Sequence, residues 1–316
     1  MLRLTPGAYE AHPRLCVLAV HFNALGYRTP RVNFLRFLEP LVRGRAHVVV
    51  AEGLYADVPP LPAAVREAET WVGVPCEGGL WQKERLLNVA LERVPDSCSA
   101  VAWLDGDVLF GDPRWMPKAV EALDGGQRFV QPFHNFVRLP RQPDAAGGLV
   151  WAGYGYQVAR DSRAAGQDWV THGHTGLAWA GPADLLRSTG LYDRWISGTG
   201  DHLMAHAMTS TVDSPCVAEA LGADTPGHRD FSRWAAGWAS AGPAGVGCLE
   251  GAIFQLWHGE YGNRRYLERE ADLRALGYDP RADLELTHEG AWRLRPGRRD
   301  INDWADALLG DRREDG

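Results

Sequence analysis

Apolar residues along this chain fall into short continuous runs alternating with stretches of helical spacing. RLCVLAVHF (14–22) is an apolar run with β-branched members and predicts a first buried strand. RVNFLRFLEPLV (31–42) repeats Val32, Leu35, Leu38 and Leu41 at helical intervals, with Pro40 interrupting near its end. AHVVVAE (46–52) predicts a second strand, and the Pro-rich VPPLPAAV a loop after it. WQKERLLNVALERV (81–94) predicts a helix whose apolar stripe is Leu86, Leu87, Ala90, Leu91 and Val94. AVAWLD (100–105) predicts the next strand. Strand and helix thus alternate, which predicts a doubly wound, mainly parallel α/β sheet. Such sheets bind ligands outside the carboxyl ends of their strands.

Downstream, Asp112-Pro113 caps a helix over RWMPKAVEAL that DGG stops. Residues 127–180 read as strand- and loop-rich, with GGLVWAGYGYQV and HTGLAWAG. PADLLRSTG (182–190) predicts a short helix ended by Gly190. The Gly/Ala-rich segment 213–250 carries no clear period. AIFQLWHG (252–259) predicts a last strand and NRRYLEREADLRALG a closing helix. The charged tail from about residue 280 is expected to be partly disordered.

Four places in this pattern carry chemistry. Asp105-Gly106-Asp107 interrupts an apolar run at a strand's carboxyl end. Unpaired buried carboxylates are costly, so a pair there suggests a ligand. Through a bent backbone both reach one divalent ion, and oxygen ligands suit Mg²⁺ or Mn²⁺. The plainer alternative is an Asp-capped turn with Gly106 supplying the unusual dihedral. Lys83 and Arg85 lie in the first turn of their helix, where anions are favoured, and Trp81 precedes them. A solvated polar face would look the same. SGTGD delivers Asp201 ahead of a helix, as a general base or as an N-cap. His258 follows an apolar strand and is placed to complete the metal site that the two aspartates begin.

Composition narrows the field. The 316 residues are 45% hydrophobic and 23% charged, enough for a substantial core. A net charge of −7 argues against a nucleic-acid partner. No tract approaches the roughly 18 apolar residues of a membrane span, and the opening MLRLTPGAYEAHPRL lacks a signal peptide's apolar core. The five cysteines are scattered without a C-x-x-C pair, which indicates neither a disulfide framework nor a zinc cluster. A protein of the cytoplasm is expected. Of the 13 tryptophans, those at 151, 169, 179, 195, 234, 238 and 257 are candidates for an acceptor cleft or for the core.

Taken in order, WQKERLLNVALERV, LDGDVLF, HTGLAWA with WISGTGD, and LWHGEYGNRRY resemble the GT-A-fold glycosyltransferases, in particular the β-1,4-galactosyltransferase-like branch. The resemblance spans roughly residues 15–270. It implies one GT-A domain over 1–275, with a Rossmann-like nucleotide-binding half (about 1–125) and an acceptor half (about 126–275), then a partly flexible extension over 276–316. By that resemblance Asp107 and His258 ligate Mn²⁺ or Mg²⁺ together with Asp105, which also contacts ribose or the donor sugar. Trp81, Lys83 and Arg85 flank the diphosphate, His21, Phe22 and Asn23 lie near the base, and Glu52 joins the donor contacts. Asp201 matches the acceptor-activating carboxylate. Two features depart from the family: its methionine ligand falls at Gln255, and its acidic acceptor loop is reduced to Asp201 followed by His202.

The implied reaction moves a sugar from a nucleotide diphosphate, a UDP-sugar by preference, to a glycan or other hydroxyl acceptor with inversion. Two alternatives stand beside it. One is a haloacid-dehalogenase-like phosphohydrolase using Asp105. The other is a non-catalytic nucleotide-sugar or glycan binder, which fold alone does not exclude.

Overall fold

The computed structural model describes residues 7–68, 70–142, 148–239 and 245–316. Residues 1–6 of the opening segment, Gly147, and 240–244 of the Gly/Ala-rich stretch lie outside the described residues. The strands are β1 (Leu15–His21), β2 (His47–Leu54), β3 (Thr70–Pro75), β4 (Ala100–Leu104), β5 (Val108–Phe110), β6 (Phe129–Gln131), β7 (Asn135–Arg138), β8 (Leu149–Ala152), β9 (Ala178–Pro182), β10 (Val246–Cys248) and β11 (Ala252–Gln255). A hairpin of β12 (Leu284–Leu286) and β13 (Trp292–Leu294) follows.

Seven strands form the central sheet in the order β10-β6-β9-β4-β1-β2-β3. All are parallel except β9, which runs antiparallel to both β4 and β6. The chain is therefore a mixed, mainly parallel, doubly wound α/β protein. A second sheet, β5-β11-β7-β8, stands beside it.

β1 is buried along its whole length because helices cover both faces. Cys16, Leu18 and Val20 point into one core with the helix Lys83–Leu91, while Leu15, Val17 and Ala19 point into the other with Phe34 and Phe37. Strand order reverses between β1 and β4, which makes their carboxyl ends the switch point where a ligand cleft is expected.

Several sequence expectations are corrected. The helix Arg28–Arg43 buries Phe34, Phe37, Leu38 and Leu41, whereas Val32 is exposed, because the two aromatic rings rather than the aliphatic series set the inward face. The Pro-rich loop gives way to a helix, Ala63–Ala68, and then to β3, which adds the sheet's outer strand. The segment 213–250 contains the helices Pro215–Leu221 and Pro226–Ala239 and then β10. AIFQ is not the last strand, since β12 and β13 follow it.

The tail is folded as well. It ends in the helix Arg299–Asp311, and beyond it the Asp315 carboxylate accepts from the backbone N–H groups of Arg28 and Thr29 at 2.9 and 2.7 Å. That contact caps the first helix with an anion. Among the described residues no helix is long and apolar enough to cross a membrane.

Candidate active site

A cleft of about 790 Å³ opens at the carboxyl ends of β1 and β4. Its floor is the turn that begins with Asp105. Gly106 is required there, since a Cβ would lie 2.6 Å from the Phe34 ring. The turn leads directly into β5, so the two carboxylates leave the backbone on a short, fixed arc.

Lys83, the first residue of its helix, extends into this cleft. Its Nζ lies 2.5 Å from Asp105 Oδ1 and 2.5 Å from Asp201 Oδ2. Asp201 sits in the first turn of the helix Gly200–Met208. One ammonium group thus joins two carboxylates from different elements. Burial pulls the Lys83 pKa down, but Asp105, Asp201 and Glu84 outweigh it and hold it well above its ordinary value. Burial pushes Asp105 up to about 7, opposed by Lys83 and reinforced by Asp201 and Asp107. Glu84, also buried, is pushed up to about 8. Four acidic side chains around one ammonium leave the cluster short of positive charge.

Asp107 Oδ2 lies 2.9 Å from His258 Nδ1. Burial raises the Asp107 pKa, and the imidazole outweighs that, leaving it below the usual carboxylate value. Its other oxygen, Oδ1, is buried without a hydrogen-bond partner among the described residues. A buried carboxylate oxygen facing a cleft unsatisfied is the observation expected of a cation ligand. Aspartate oxygens with one imidazole suit Mn²⁺ or Mg²⁺, so this donor set fits the metal that the sequence implies. Gln255, where the resemblance places a methionine, donates from Nε2 at 3.4 Å to Asp107 Oδ2, the oxygen that faces His258.

On the opposite side of the cleft lie His21, Phe22, Asn23 and Trp81. Phe22 meets Trp81 edge-on at 4.9 Å, and Gly198, at φ +88°, packs so near the indole that a Cβ there would lie 3.0 Å from it. Asn23 spends its amide on the backbone of Tyr27, fixing the turn after β1. Burial holds His21 neutral, with its pKa lowered to about 4.

Two predicted residues do not reach the cleft. Arg85 donates to the Gly290 carbonyl at 2.7 Å and pairs with Asp193 at 3.1 Å, both on the far side of its helix. Positions i and i+2 of a helix point to different faces, so Lys83 and Arg85 do not flank one ligand. Glu52 is also spent inside the protein, accepting from the Leu61 N–H at 2.6 Å and from the Trp71 indole at 2.9 Å.

The structure adds residues that the pattern did not single out. Arg138, at the end of β7, lies over Tyr261 at 5.2 Å, and its Nη2 is buried without a partner among the described residues. Arg312 from the tail lies over Trp81 at 4.9 Å, so the extension helps form the cleft. Trp151 and Trp169 line the cleft, whereas Trp179, Trp195 and Trp238 are core residues. An arginine ending a half-buried strand was the available signal for Arg138. Nothing local marked Arg312.

No family model matches the chain, and no curated protein matches it. Among solved structures, one described as a mycobacterial protein is 15% identical with a TM-score of 0.44, over 90% of this chain and 83% of that one. Glucosyl-3-phosphoglycerate synthase from Mycobacterium tuberculosis, solved with Mn²⁺, UDP-glucose and phosphoglyceric acid, is 15% identical with a TM-score of 0.42, over 90% of this chain and 87% of that one. The same enzyme with Mg²⁺ and UDP is 13% identical with a TM-score of 0.40, over 90% and 88%. At these scores the likeness is one of general layout, and function has to be read from this chain's own residues.

Proposed function

We propose that the protein is a GT-A-type glycosyltransferase that moves a sugar from a nucleotide diphosphate sugar, a UDP-sugar by preference, to a hydroxyl acceptor. The observation that carries this reading is the pairing of Asp107 and His258 at 2.9 Å, with Asp107 Oδ1 left unsatisfied in a cleft at the sheet's switch point. The cleft volume of about 790 Å³ falls within the size range of small-molecule sites.

Asp107 and His258, with Asp105 beside them, would hold Mn²⁺ or Mg²⁺, which supplies electrostatic stabilisation of the leaving diphosphate. The protein's own groups do the rest. Arg138, with its unpartnered guanidinium nitrogen, takes the diphosphate role that Arg85 cannot fill. Phe22 and Trp81 form the aromatic wall for the base or ribose. Lys83 fixes Asp105 and Asp201 in register, holding the donor-side and acceptor-side carboxylates at one spacing. Asp201 receives the proton of the acceptor hydroxyl as its oxygen attacks the anomeric carbon from the face opposite the leaving group, so the configuration inverts.

A thermal-shift screen of nucleotide sugars with and without Mn²⁺ tests the reading, followed by NMR of the product's anomeric configuration. The expected result is stabilisation by one nucleotide sugar only when metal is present. Metal-dependent donor binding that survives in both Asp107→Asn and His258→Ala would overturn it. Release of inorganic phosphate from simple phosphate esters would favour the phosphohydrolase alternative. A retained configuration would remove Asp201 from the base role while leaving the donor site standing.

A further inference from the structure

At the inner wall of the cleft, whose lining includes His172 and His202, four side chains meet that the proposed reaction does not use. They are His172 from the loop after β8 and its short helices, His202 and His206 one turn apart on the helix Gly200–Met208, and Cys216 from the helix Pro215–Leu221. None is more than 3% exposed, and one potential donor atom from each lies within 4.8 Å of all the others. Positions i and i+4 bring two imidazoles onto one helix face, which is the spacing metal sites use on helices.

The hydrogen bonds at this cluster are unusual for a protein interior. His172 Nδ1 lies 2.8 Å from the Gly173 carbonyl, so that nitrogen carries the proton and Nε2 presents its lone pair inward. That Nε2 has no partner among the described residues, and neither does either ring nitrogen of His202. His206 Nδ1 lies 2.7 Å from Thr211 Oγ1, which leaves its Nε2 facing Cys216 Sγ at 3.2 Å. Buried polar atoms are nearly always satisfied. Here the unpartnered Nε2 of His172, one unpartnered nitrogen of His202, the Nε2 of His206 and a thiol converge, while His172 and His206 have their other nitrogens anchored to a carbonyl and a hydroxyl. Anchoring of that kind is what fixes the tautomer of a metal-ligating histidine.

We infer that His172, His202, His206 and Cys216 form a closed, four-coordinate structural zinc site. Three neutral imidazoles and one thiolate make a nitrogen- and sulfur-rich donor set that favours zinc over Mg²⁺, Mn²⁺ or Ca²⁺ and leaves no position for substrate. On binding, the Cys216 thiol gives its proton to solvent and the thiolate becomes the fourth ligand. The ion joins the loop 167–173 to the helix that begins at Gly200 and to the helix Pro215–Leu221. Because Asp201 immediately precedes His202, this second metal fixes the backbone that carries the proposed base. The inference does not depend on the glycosyltransferase reading.

The test is elemental analysis of the full chain, produced without a polyhistidine tag and dialysed against a weak chelator, with X-ray absorption at the zinc edge. About one zinc per chain is expected, with a shell of nitrogen near 2.0 Å and one sulfur near 2.3 Å. Asp107→Asn should keep that zinc, whereas Cys216→Ser should lose it or lose the sulfur scatterer. A strong chelator should lower the melting temperature of the wild type and leave a folded Cys216→Ser protein unaffected. If Cys216→Ser fails to fold, cobalt substitution of the wild type decides instead: tetrahedral visible bands with a thiolate charge-transfer band support the site. A wild type that purifies without zinc and shows no thiolate–metal band after zinc or cobalt is added overturns the inference. So does bound zinc with only oxygen and nitrogen neighbours.

Discussion

Two polar clusters meet at the peptide bond between Asp201 and His202, and they are built on opposite rules. On the cleft side, Asp105, Asp107 and Asp201 surround Lys83 with His258 at the edge, in a cavity open to solvent. The donors there are hard oxygens, the charges are unbalanced, and Asp107 presents a free oxygen to the cleft. On the other side, three imidazoles and a thiol turn inward, with no carboxylate among the four. The first arrangement suits an exchangeable hydrated cation that arrives with an anionic ligand, and the second a softer ion bound once and kept. A single helix, Gly200–Met208, serves both, with Asp201 in the cleft cluster and His202 and His206 in the closed one.

The comparison breaks most severely at Asp107. Asp107→Asn keeps the shape but removes the negative charge facing the cleft. Transfer is expected to fall by about a thousandfold or more, roughly 4 kcal/mol in the transition state. Mn²⁺ should no longer potentiate donor binding, while folding is preserved because Asn keeps the side chain's shape and one oxygen for the contact with His258. Steady-state rates across a manganese titration, set beside the melting temperature, check this.

Asp201→Asn comes next. If the carboxylate receives a proton, kcat drops by about 10²–10³ with little change in donor binding. Lys83→Met should instead weaken both, because it releases Asp105 and Asp201 together and leaves buried carboxylates without their cation. Separate measurement of kcat and donor Kd distinguishes the two variants. Equal effects on both parameters in Asp201→Asn would assign that residue to binding alone.

Arg85 supplies a control with a smaller effect of a different kind. Its partner Asp193 is 7% exposed in its side chain, so Arg85→Met leaves a buried carboxylate without its cation, held only by the Asn88 amide, and is expected to destabilise by about 3 kcal/mol. Donor KM should stay unchanged, since the guanidinium faces away from the cleft. A chemical-denaturation curve with one donor titration is sufficient. A raised KM at preserved stability would return Arg85 to the diphosphate.

The same contrasts explain what was legible in the sequence. β1, β4 and the Asp105–Asp107 turn stand out because an apolar run that ends in carboxylates has few structural uses. β3 was missed because TWVGVP is only half-buried and follows a run of prolines. The pair Lys83 and Arg85 was legible as charge but not as direction, since only the helix phase separates their faces. Glu52 is expected among the donor contacts, and the hydrogen bond it accepts from Trp71 instead depends on a strand pairing that the pattern does not predict. The closed cluster left one local trace, the i, i+4 spacing of His202 and His206. Its other ligands come from segments that only the tertiary fold brings together, and no C-x-x-C pair marked it.

His21 sharpens the comparison at the low end of the scale, as a buried imidazole at the cleft that belongs to no histidine–cysteine cluster among the described residues. It lies 5.1 Å from Phe34, and the charged groups acting on it are Arg31 and Glu314. Its pKa is about 4 in the folded protein against 6.5 ordinarily, with burial as the main cause. Below pH 6.5 the unfolded chain therefore binds a proton that the folded chain refuses until about pH 4. The stability this neutral ring contributes is complete above pH 6.5 and is lost as the pH falls through that window, by about 1–3 kcal/mol. His21→Leu removes the group and should make the acid limb of a plot of stability against pH shallower by that amount, whatever it does to stability at pH 8. An acid limb of unchanged slope would mean that the imidazole finds a way to be protonated inside the folded protein, and that a lone buried histidine here does not behave as the closed cluster's unpartnered ones require.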